Sequence, residues 1–288
     1  TSPASLAWLF NIRGGDVACT PLPLGRALLH ADGRADLFVA TKKVGDDVRE
    51  HLGNEVVIRD IKTFGAGLRE LSGKSVLVDP GAAPEWVTTT LKRAKADIKA
   101  GQDPCELPKA TKNAVEIAGS QRAHERDGVA ICHFLHWLET GVKPGKTTEI
   151  DAVKKLERFR EATGALRDIS FETISGAGPN GAIVHYRVSE ESNRTLENNS
   201  LFLVDSGGQY KDGTTDITRT VVIGEPTDDM KRHYTLVLKG VIALTVARFP
   251  KGTTGTHLDV LARHALWQGW SRLSARHGPR RWVLSWRA

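Results

Sequence analysis

Sulfur-containing residues are scarce in this sequence. Only three cysteines, Cys19, Cys105 and Cys132, and one methionine occur among 288 residues. Because the cysteines are odd in number and widely spaced, the sequence excludes a disulfide framework and a cysteine-rich zinc cluster. This usage is typical of a reducing compartment, and we expect a cytoplasmic protein.

Long apolar runs are also absent. No run approaches the roughly 18–20 residues that are needed to cross a bilayer, so we expect no membrane partner. No charged segment followed by an apolar stretch opens the chain, and we therefore predict no secretion signal. The sequence begins with Thr1 rather than methionine. We expect the natural start to lie upstream.

The body of the chain has almost no net charge. The total is +6, and residues 269–288 contribute five arginines without an acidic residue, which leaves +6 − 5 = +1 for the rest. Before residue 269 we find no array of basic residues interleaved with aromatic ones, which a nucleic-acid partner would require. The sequence therefore predicts no nucleic-acid binding.

The first 106 residues alternate short predicted strands with predicted helices. Strands are expected at 36–40, 55–58 and 75–78, and helices at 44–51, 63–71 and 83–94. This rhythm predicts a small α/β domain with a mostly parallel sheet. Two prolines and a glycine in 101–108 mark the boundary, so we predict one domain over 1–106 and a second over 107–288.

The second domain is predicted to be α+β. A long helix is expected over 112–139, with Val129, Cys132, Leu135 and Leu138 on its buried stripe. A second helix should begin near Thr148, with further helices at 228–247 and 257–268 enclosing an antiparallel sheet.

The segment 201–224 carries the most informative pattern. Two apolar strands, 201–204 and 217–223, flank a polar turn. An even-numbered loop such as 209–212 would place Asp205 directly across from Asp216. Facing carboxylates suit hard divalent cations, although on spacing alone both residues could simply cap a hairpin.

Three stretches resemble the Xaa-Pro aminopeptidases (aminopeptidase P) of the pita-bread metallopeptidase family. DSGGQYKDGTTDITRT, starting at Asp205, is similar to their first metal-ligand motif. FETISGAGPNGAIVHYR, starting at Phe171, is similar to the preceding segment. LAWLFNIRGG, starting at Leu6, is similar to a motif near their interdomain linker.

The resemblance implies a fold, a cofactor and site residues. It implies a creatinase/prolidase-like N-terminal α/β domain followed by a pita-bread catalytic domain. Two divalent metal ions, expected to be Mn²⁺, would be bound by Asp205 and Asp216, and a bridging hydroxide would attack the scissile carbonyl. His185 would contact the substrate, a peptide with proline in second position. A homodimer is implied for the intact enzyme.

Two further patterns invite other interpretations. GAGPNG, starting at Gly176, matches a dinucleotide fingerprint, but that motif must open a helix after a strand. Pro179 and the apolar residues 182–186 favour a turn into a strand instead, with His185 on it. His133 and His136 have helical spacing but no acidic residue nearby, which favours surface residues over a metal site.

The sequence departs from the family after Gln268. There the relatives continue with a histidine-bearing motif like AGLDYxHGTGHGVGSYLxVHE, and later segments supply two glutamate ligands. Codons for residues 269–288 can be chosen so that reading one base later restores that motif. We therefore predict a reading-frame slip and an incomplete pita-bread domain. With only two ligands left, we expect weak or absent metal binding and an inactive fragment.

The sequence thus predicts a metal-dependent aminopeptidase that releases a residue preceding proline. Proline's tertiary amide and fixed φ call for a dedicated pocket. A prolidase that cleaves only dipeptides is the nearest alternative, and a non-catalytic pita-bread binding module is an alternative of another class. A creatinase-type hydrolase would need no metal, and the aspartate pair disfavours it.

Overall fold

The computed structural model describes residues 2–270, with Trp270 described by its backbone alone. The described residues form two compact units, one of residues 2–124 and 209–214, the other of residues 125–208 and 215–270. The predicted boundary after residue 106 stays a prediction. Within the described range, no helix combines the length and apolar character that a membrane span requires.

The first unit is an α/β structure. Its elements are α1 (Pro3–Leu9), β1 (Gly25–Leu29), β2 (Ala35–Val39), α2 (Asp46–Leu52), β3 (Val56–Asp60), α3 (Phe64–Arg69), β4 (Ser75–Val78), α4 (Glu85–Arg93), β5 (Asp97–Ala100) and α5 (Glu106–Ala110). Strand β2 is central and buried along its whole length, with β1 antiparallel to it and β3 parallel. β4 and β5 form a separate parallel pair. The sheet of β1, β2 and β3 is thus mixed, whereas β4 and β5 are parallel. β1 and β5 are strands that we did not predict.

The second unit is built on an antiparallel sheet. The elements that follow α5 are α6 (Ala114–Thr140), α7 (Glu149–Glu161), β6 (Asp168–Ile169), β7 (Ile174–Ala177), β8 (Ser200–Ser206), β9 (Gly208–Tyr210), β10 (Gly213–Thr214), β11 (Ile217–Ile223), α8 (Asp228–Thr245) and α9 (Gly255–Trp270). Strand β8 lies between β7 and β11 and is antiparallel to both. The predicted α+β architecture is therefore observed.

Helices α6 and α7 cover one face of this sheet. Phe134 and Leu156 from the helices and Phe202 and Val204 from β8 share one apolar cluster. Because side chains alternate along a strand, Leu203 and Asp205 point to the opposite face of β8. The helices thus pack against one face of the sheet, and Asp205 lies on the opposite face.

The predicted buried stripe of α6 is correct only in part. Leu138 is buried and Leu135 packs against the core, but Val129 and Cys132 are exposed, whereas Ile131 and Phe134 are buried. The helix also buries a charged residue, Asp127, which apolar periodicity cannot identify. The start of α7 agrees better with the sequence, since Thr148 forms the predicted N-cap as half of a capping box.

Helix α7 buries two charged residues, one near each end. Arg160 and Asp127 form a bidentate ion pair, with Nε to Oδ1 at 2.7 Å and Nη2 to Oδ2 at 3.1 Å. Glu149, at the first position of α7, is fully buried. The ion pair joins α7 to α6, and Glu149 joins α7 to the segment that follows β7.

Candidate functional site

Asp205 lies on β8 and Asp216 directly precedes the neighbouring strand β11, but in a different register from the predicted one. Asp205 pairs with Thr218, and Ser206 pairs with Ile217. The prediction that Asp205 stands directly across from Asp216 is therefore wrong.

The turn explains the difference. Tyr210 pairs with Gly213, so only Lys211 and Asp212 connect the strands, instead of the predicted loop 209–212. A loop shorter by two residues moves the register by two positions. Because side chains alternate with a period of two, such a shift leaves every residue on its predicted face.

The two aspartates consequently remain on one face of the sheet. Thr215 N donates to Gly208 O at 2.9 Å, which continues the same register past Asp216 and places Asp216 opposite Gly207. Asp205 and Asp216 are then diagonal neighbours, an arrangement in which Cα atoms are typically about 7–8 Å apart. The Oδ1 atom of Asp205 is buried, and Asp216 is exposed.

Gly207 makes this close packing possible. A Cβ atom at Gly207 would lie 1.9 Å from Thr215 O and 2.2 Å from Ser170 Oγ. These neighbours are themselves fixed, because Ser170 N donates to Gly207 O at 3.0 Å and Ser170 Oγ donates to Thr215 O at 2.9 Å. A side chain at position 207 would thus push apart the backbone that carries the two aspartates.

We expect Gly207→Ala to lower the free energy of unfolding by about 3 kcal/mol, the upper part of the usual range for overpacking, since the obstacle is backbone. Urea denaturation of both proteins measures the change. Gly128→Ala is the control, because nothing lies within 4 Å of its added Cβ. In the α6 helix alanine should stabilise by about 1 kcal/mol relative to glycine. A Gly207→Ala protein as stable as the parent would contradict the described backbone approach.

His185 lies in a turn, so the predicted strand over 182–186 is wrong. Residues Gly178–Ala182 form a 3-10 helix, and Tyr186 N then donates to Ile183 O at 3.2 Å to close a β-turn. His185 occupies the third position of this turn with a φ of +54°. Periodicity alone does not determine the structure of a short apolar run, and here the turn's own hydrogen bonds prevail over strand propensity.

A left-handed backbone at a residue other than glycine is uncommon and costs roughly 1–3 kcal/mol. Such conformations cluster at functional sites, but Asn11, Cys19, Lys95 and Asn199 also have a positive φ, so the conformation of His185 does not by itself assign it a role. The turn is exposed, and its neighbours Ile183 and Val184 are large apolar residues in contact with solvent. An exposed histidine beside apolar side chains suits contact with a peptide.

The glycine motif that precedes His185 serves close backbone packing. A Cβ at Gly176 would lie 2.7 Å from Gly181 Cα, and a Cβ at Gly181 would lie 3.4 Å from Leu203 Cβ. Because Leu203 and Asp205 point to the same face of β8, the short helix packs on the face that carries the aspartates. The motif opens no α-helix, so the dinucleotide interpretation is unsupported, as we predicted.

Tyr186 anchors the end of this turn. Its hydroxyl donates to Glu149 Oε2 at 2.9 Å, accepts from Asn180 Nδ2 at 2.8 Å, and lies 3.0 Å from Ser192 Oγ. Burial raises the pKa of the Tyr186 phenol above its ordinary value, Ser192 opposes that shift, and the Glu149 carboxylate adds to it.

A raised pKa in the folded state predicts a loss of stability at alkaline pH. The contribution of Tyr186 is complete below the ordinary tyrosine pKa of about 10 and is lost as the pH rises through the higher folded value. Tyr186→Phe should lower the free energy of unfolding by about 1–3 kcal/mol at neutral pH, with a difference that shrinks above pH ~10. Urea denaturation from pH 7 to 10.5 measures it. Tyr234→Phe, at an exposed position, should stay within about 0.5 kcal/mol. If the free energies of unfolding of Tyr186→Phe and the parent differed by the same amount at every pH, the raised pKa of Tyr186 would be contradicted.

The donors present fit a metal ion in kind but not in number. Carboxylate oxygens suit hard divalent cations. Among residues 2–270, however, no group of three or more histidine, cysteine, aspartate or glutamate side chains could hold a metal ion. The described residues therefore do not by themselves complete a site for two ions. The exposed positions of His133 and His136 agree with their interpretation as surface residues.

The first unit contains another charged cluster, which is internally neutralised. Asp36 accepts from His30 Nε2 at 2.8 Å and from Arg59 Nε at 2.9 Å, and Arg59 also contacts Glu70. These residues line a cleft of about 940 Å³ that includes none of the predicted site residues. Burial and the adjacent Asp103 raise the pKa of the Cys105 thiol in this cleft, which disfavours a nucleophilic role.

Comparison with known proteins identifies two domain types. The creatinase/prolidase N-terminal domain matches residues 1–116, and metallopeptidase family M24 matches residues 118–280. The M24 match extends past Gln268, where we predicted a departure from the family. The reading-frame slip therefore stays a prediction.

The curated relatives of this chain are named as aminopeptidases. The probable Xaa-Pro aminopeptidase P of Aspergillus niger is 40% identical over 273 residues, which cover 91% of this chain and 44% of the relative. The relative from Talaromyces marneffei is 38% identical and covered to 41%. The chain thus spans less than half the length of the curated relatives it matches.

Solved structures agree on the fold. The X-prolyl aminopeptidase of Caenorhabditis elegans, a cytosolic enzyme with a di-nuclear active site, superposes with a TM-score of 0.83 at 32% identity, covering 92% of this chain and 45% of that one. The Xaa-Pro dipeptidase of Bacillus anthracis gives 0.71 at 24% identity, covering 93% and 72%. The predicted fold, a creatinase-like domain followed by a pita-bread domain, is confirmed. Because the M24 match covers more than half of the chain, this protein belongs to metallopeptidase family M24, a family of metal-dependent hydrolases.

Proposed function

We propose that this chain forms part of a metal-dependent Xaa-Pro aminopeptidase, with Asp205 and Asp216 as metal ligands and His185 as a substrate-binding residue. The observation that carries the proposal is the register of the β8–β11 hairpin in a chain of family M24, which puts Asp205 on β8 and Asp216, directly before β11, on one face. The two ions would be Mn²⁺, and the aspartates would supply oxygen ligands from adjacent strands.

The substrate proposal rests on the turn beside the aspartates. The short helix before His185 packs on the same sheet face as Asp205, through Gly181 and Leu203. A proline ring is apolar and lacks an N–H group, so a pocket for it needs apolar contact rather than a backbone hydrogen bond. The exposed Ile183 and Val184 beside His185 offer such contact. Proline-containing peptides are therefore the proposed partners, with no nucleic-acid or membrane partner.

Location and assembly are proposed from the relatives. The nematode enzyme is cytosolic, and the few cysteines of this chain suit a reducing compartment, so we place the protein in the cytoplasm. A homodimer is proposed for the whole enzyme. The prolidase alternative has the support of structural neighbours at 23–24% identity, which show the shared fold alone.

A fusion protein tests the proposed function. Residues 2–268 would be joined to the corresponding C-terminal part of the nematode enzyme and assayed with Mn²⁺ on Ala-Pro-Ala, Ala-Pro and Ala-Ala-Ala. We expect release of alanine from Ala-Pro-Ala, reduced at least about 100-fold by Asp205→Ala, because a lost ligand costs more than a lost supporting hydrogen bond. Asp212→Ala, in the same hairpin, is the matched control.

The three substrates separate the candidate functions. Cleavage of Ala-Pro alone would favour a prolidase. Cleavage of Ala-Ala-Ala at a similar rate would contradict the proline requirement. Activity that survives Asp205→Ala would contradict the metal-ligand assignment.

A further inference from the structure

We infer that Glu149 is a positioning residue that fixes the turn carrying His185. This inference deepens the proposed function and rests on it for the role of His185. The sequence gives no sign of such a role, because a glutamate directly after an N-cap threonine is ordinarily exposed and only offsets the helix dipole. The structure instead buries Glu149 completely.

The Glu149 carboxylate is fully occupied by hydrogen bonds. Oε1 accepts from Ala177 N at 2.6 Å and from Asn180 Nδ2 at 3.0 Å. Oε2 accepts from Tyr186 OH at 2.9 Å and from Arg194 N at 3.0 Å. Two carboxylate oxygens offer about four acceptor positions, so these four donors leave none for a substrate or a metal ion. The geometry therefore assigns Glu149 a positioning role, not a catalytic one.

The four donors bracket the turn in sequence. Ala177 and Asn180 lie before it, Tyr186 closes it directly after His185, and Arg194 ends the segment that follows. One buried carboxylate thus holds both ends of a short exposed segment. Bonds to a charged acceptor are stronger than neutral ones, and a carboxylate at a helix N-terminus gains further from the helix dipole.

The strained backbone of His185 depends on such restraint. A positive φ at a residue other than glycine persists only where the surrounding structure over-determines it. Tyr186, the residue after His185, supplies restraint of this kind, because its amide closes the turn and its hydroxyl binds Glu149.

Hydrogen exchange of backbone amides in the 288-residue protein tests the inference. Glu149→Gln keeps the size of the side chain but removes its charge and replaces one acceptor by an NH₂ donor. We expect the amides of Ala177 and Arg194, which donate directly to the carboxylate, to exchange about tenfold faster or more. The amide of Tyr186 donates to Ile183 O instead, and it should accelerate as well if Glu149 fixes the turn.

Two controls on α7 separate positioning from general loss of stability. Asp151→Asn removes another carboxylate from the same helix end, one that accepts hydrogen bonds from Thr148. Leu156→Ala, at a fully buried position, lowers global stability without touching the network. Neither variant should selectively accelerate hydrogen exchange at the amide of Tyr186. The inference is overturned if Leu156→Ala reproduces the pattern, or if Tyr186 exchange is unchanged in Glu149→Gln. Should Glu149→Gln not fold, Tyr186→Phe carries the test, because it cuts the same link and leaves Glu149 in place.

Peptide binding distinguishes this inference from the proposed function. The probe is Ala-Pro-Ala, followed by chemical-shift changes in the 288-residue protein. Shift changes centred on His185 that weaken in Glu149→Gln but not in Leu156→Ala would support both. Equal shifts in the parent and in His185→Ala would overturn the substrate role of His185, while faster Tyr186 exchange in Glu149→Gln would still support the positioning of the turn.

Discussion

Arg160→Leu is expected to lower the free energy of unfolding by about 3–5 kcal/mol. Arg160 and Asp127 are both almost completely buried, with 0% and 3% of their side chains exposed, and they bind each other through two hydrogen bonds. Removing the guanidinium would leave the buried Asp127 carboxylate without this counter-charge. That penalty, more than the loss of the attraction itself, produces an effect of about this size. Urea denaturation at neutral pH measures it.

Two control variants define the cause. The double replacement of Arg160 and Asp127 by leucine should recover most of the loss, because an apolar pair of similar volume replaces a buried ion pair at little cost. Arg263 and Asp259 form the same bidentate pair on the exposed surface of α9. Arg263→Leu should change stability by less than about 1 kcal/mol. A double variant as unstable as Arg160→Leu would contradict the buried-charge explanation.

Phe202→Ala should lower the free energy of unfolding by about 3–5 kcal/mol, as is typical of large-to-small replacement in a core. Phe202 is fully buried at the centre of β8, where it packs in one cluster with Phe134 and Leu156 from the covering helices. The cavity would weaken the contact between the sheet and both helices. Because Asp205 lies on the same strand, we also expect faster amide exchange along β8.

Thr218→Ala is the matched control for this strand pair. Thr218 is exposed on β11, directly opposite Asp205, and its truncation should change stability by at most about 0.5 kcal/mol. A small effect of Phe202→Ala, near that of Thr218→Ala, would show that the helices do not pack on β8 as described.

The strands and helices with strong periodicity were predictable from the sequence. β8 and β11 were expected from runs of apolar and β-branched residues, and α7 from its threonine cap. The edge strand β1 was not predicted. β1 combines a glycine and an arginine with a short apolar run, and it becomes a strand because β2 beside it supplies hydrogen-bond partners.

Register and turn geometry were only partly predictable. The prediction that Asp205 and Asp216 lie on the same face of the sheet was correct. Any loop with an even number of residues between the strands gives that result. The choice between a two-residue and a four-residue turn was not determined by the pattern, since both keep the same alternation of faces, and the structure has the two-residue turn. The left-handed conformation of His185 was likewise hidden, since only a few per cent of residues other than glycine adopt it.

Buried charges escaped the sequence analysis altogether. Glu149, Arg160 and Asp127 read as solvated positions on amphipathic helices, because charged residues are almost never fully buried unless they are paired. Their partners lie tens of residues away in sequence, so only the tertiary structure brings them together. Charged residues near the two ends of an amphipathic helix do not by themselves indicate that they are buried and paired.

The most direct test of the central claim, that Asp205 and Asp216 together face a divalent cation, is paramagnetic NMR with Mn²⁺ on the 288-residue protein. Two carboxylates should bind the ion weakly, with a dissociation constant of about 1 mM. We expect line broadening centred on the amides around Asp205 and Asp216, lost in Asp205→Asn and retained in Asp212→Asn. Broadening centred elsewhere and unchanged in Asp205→Asn would contradict the account.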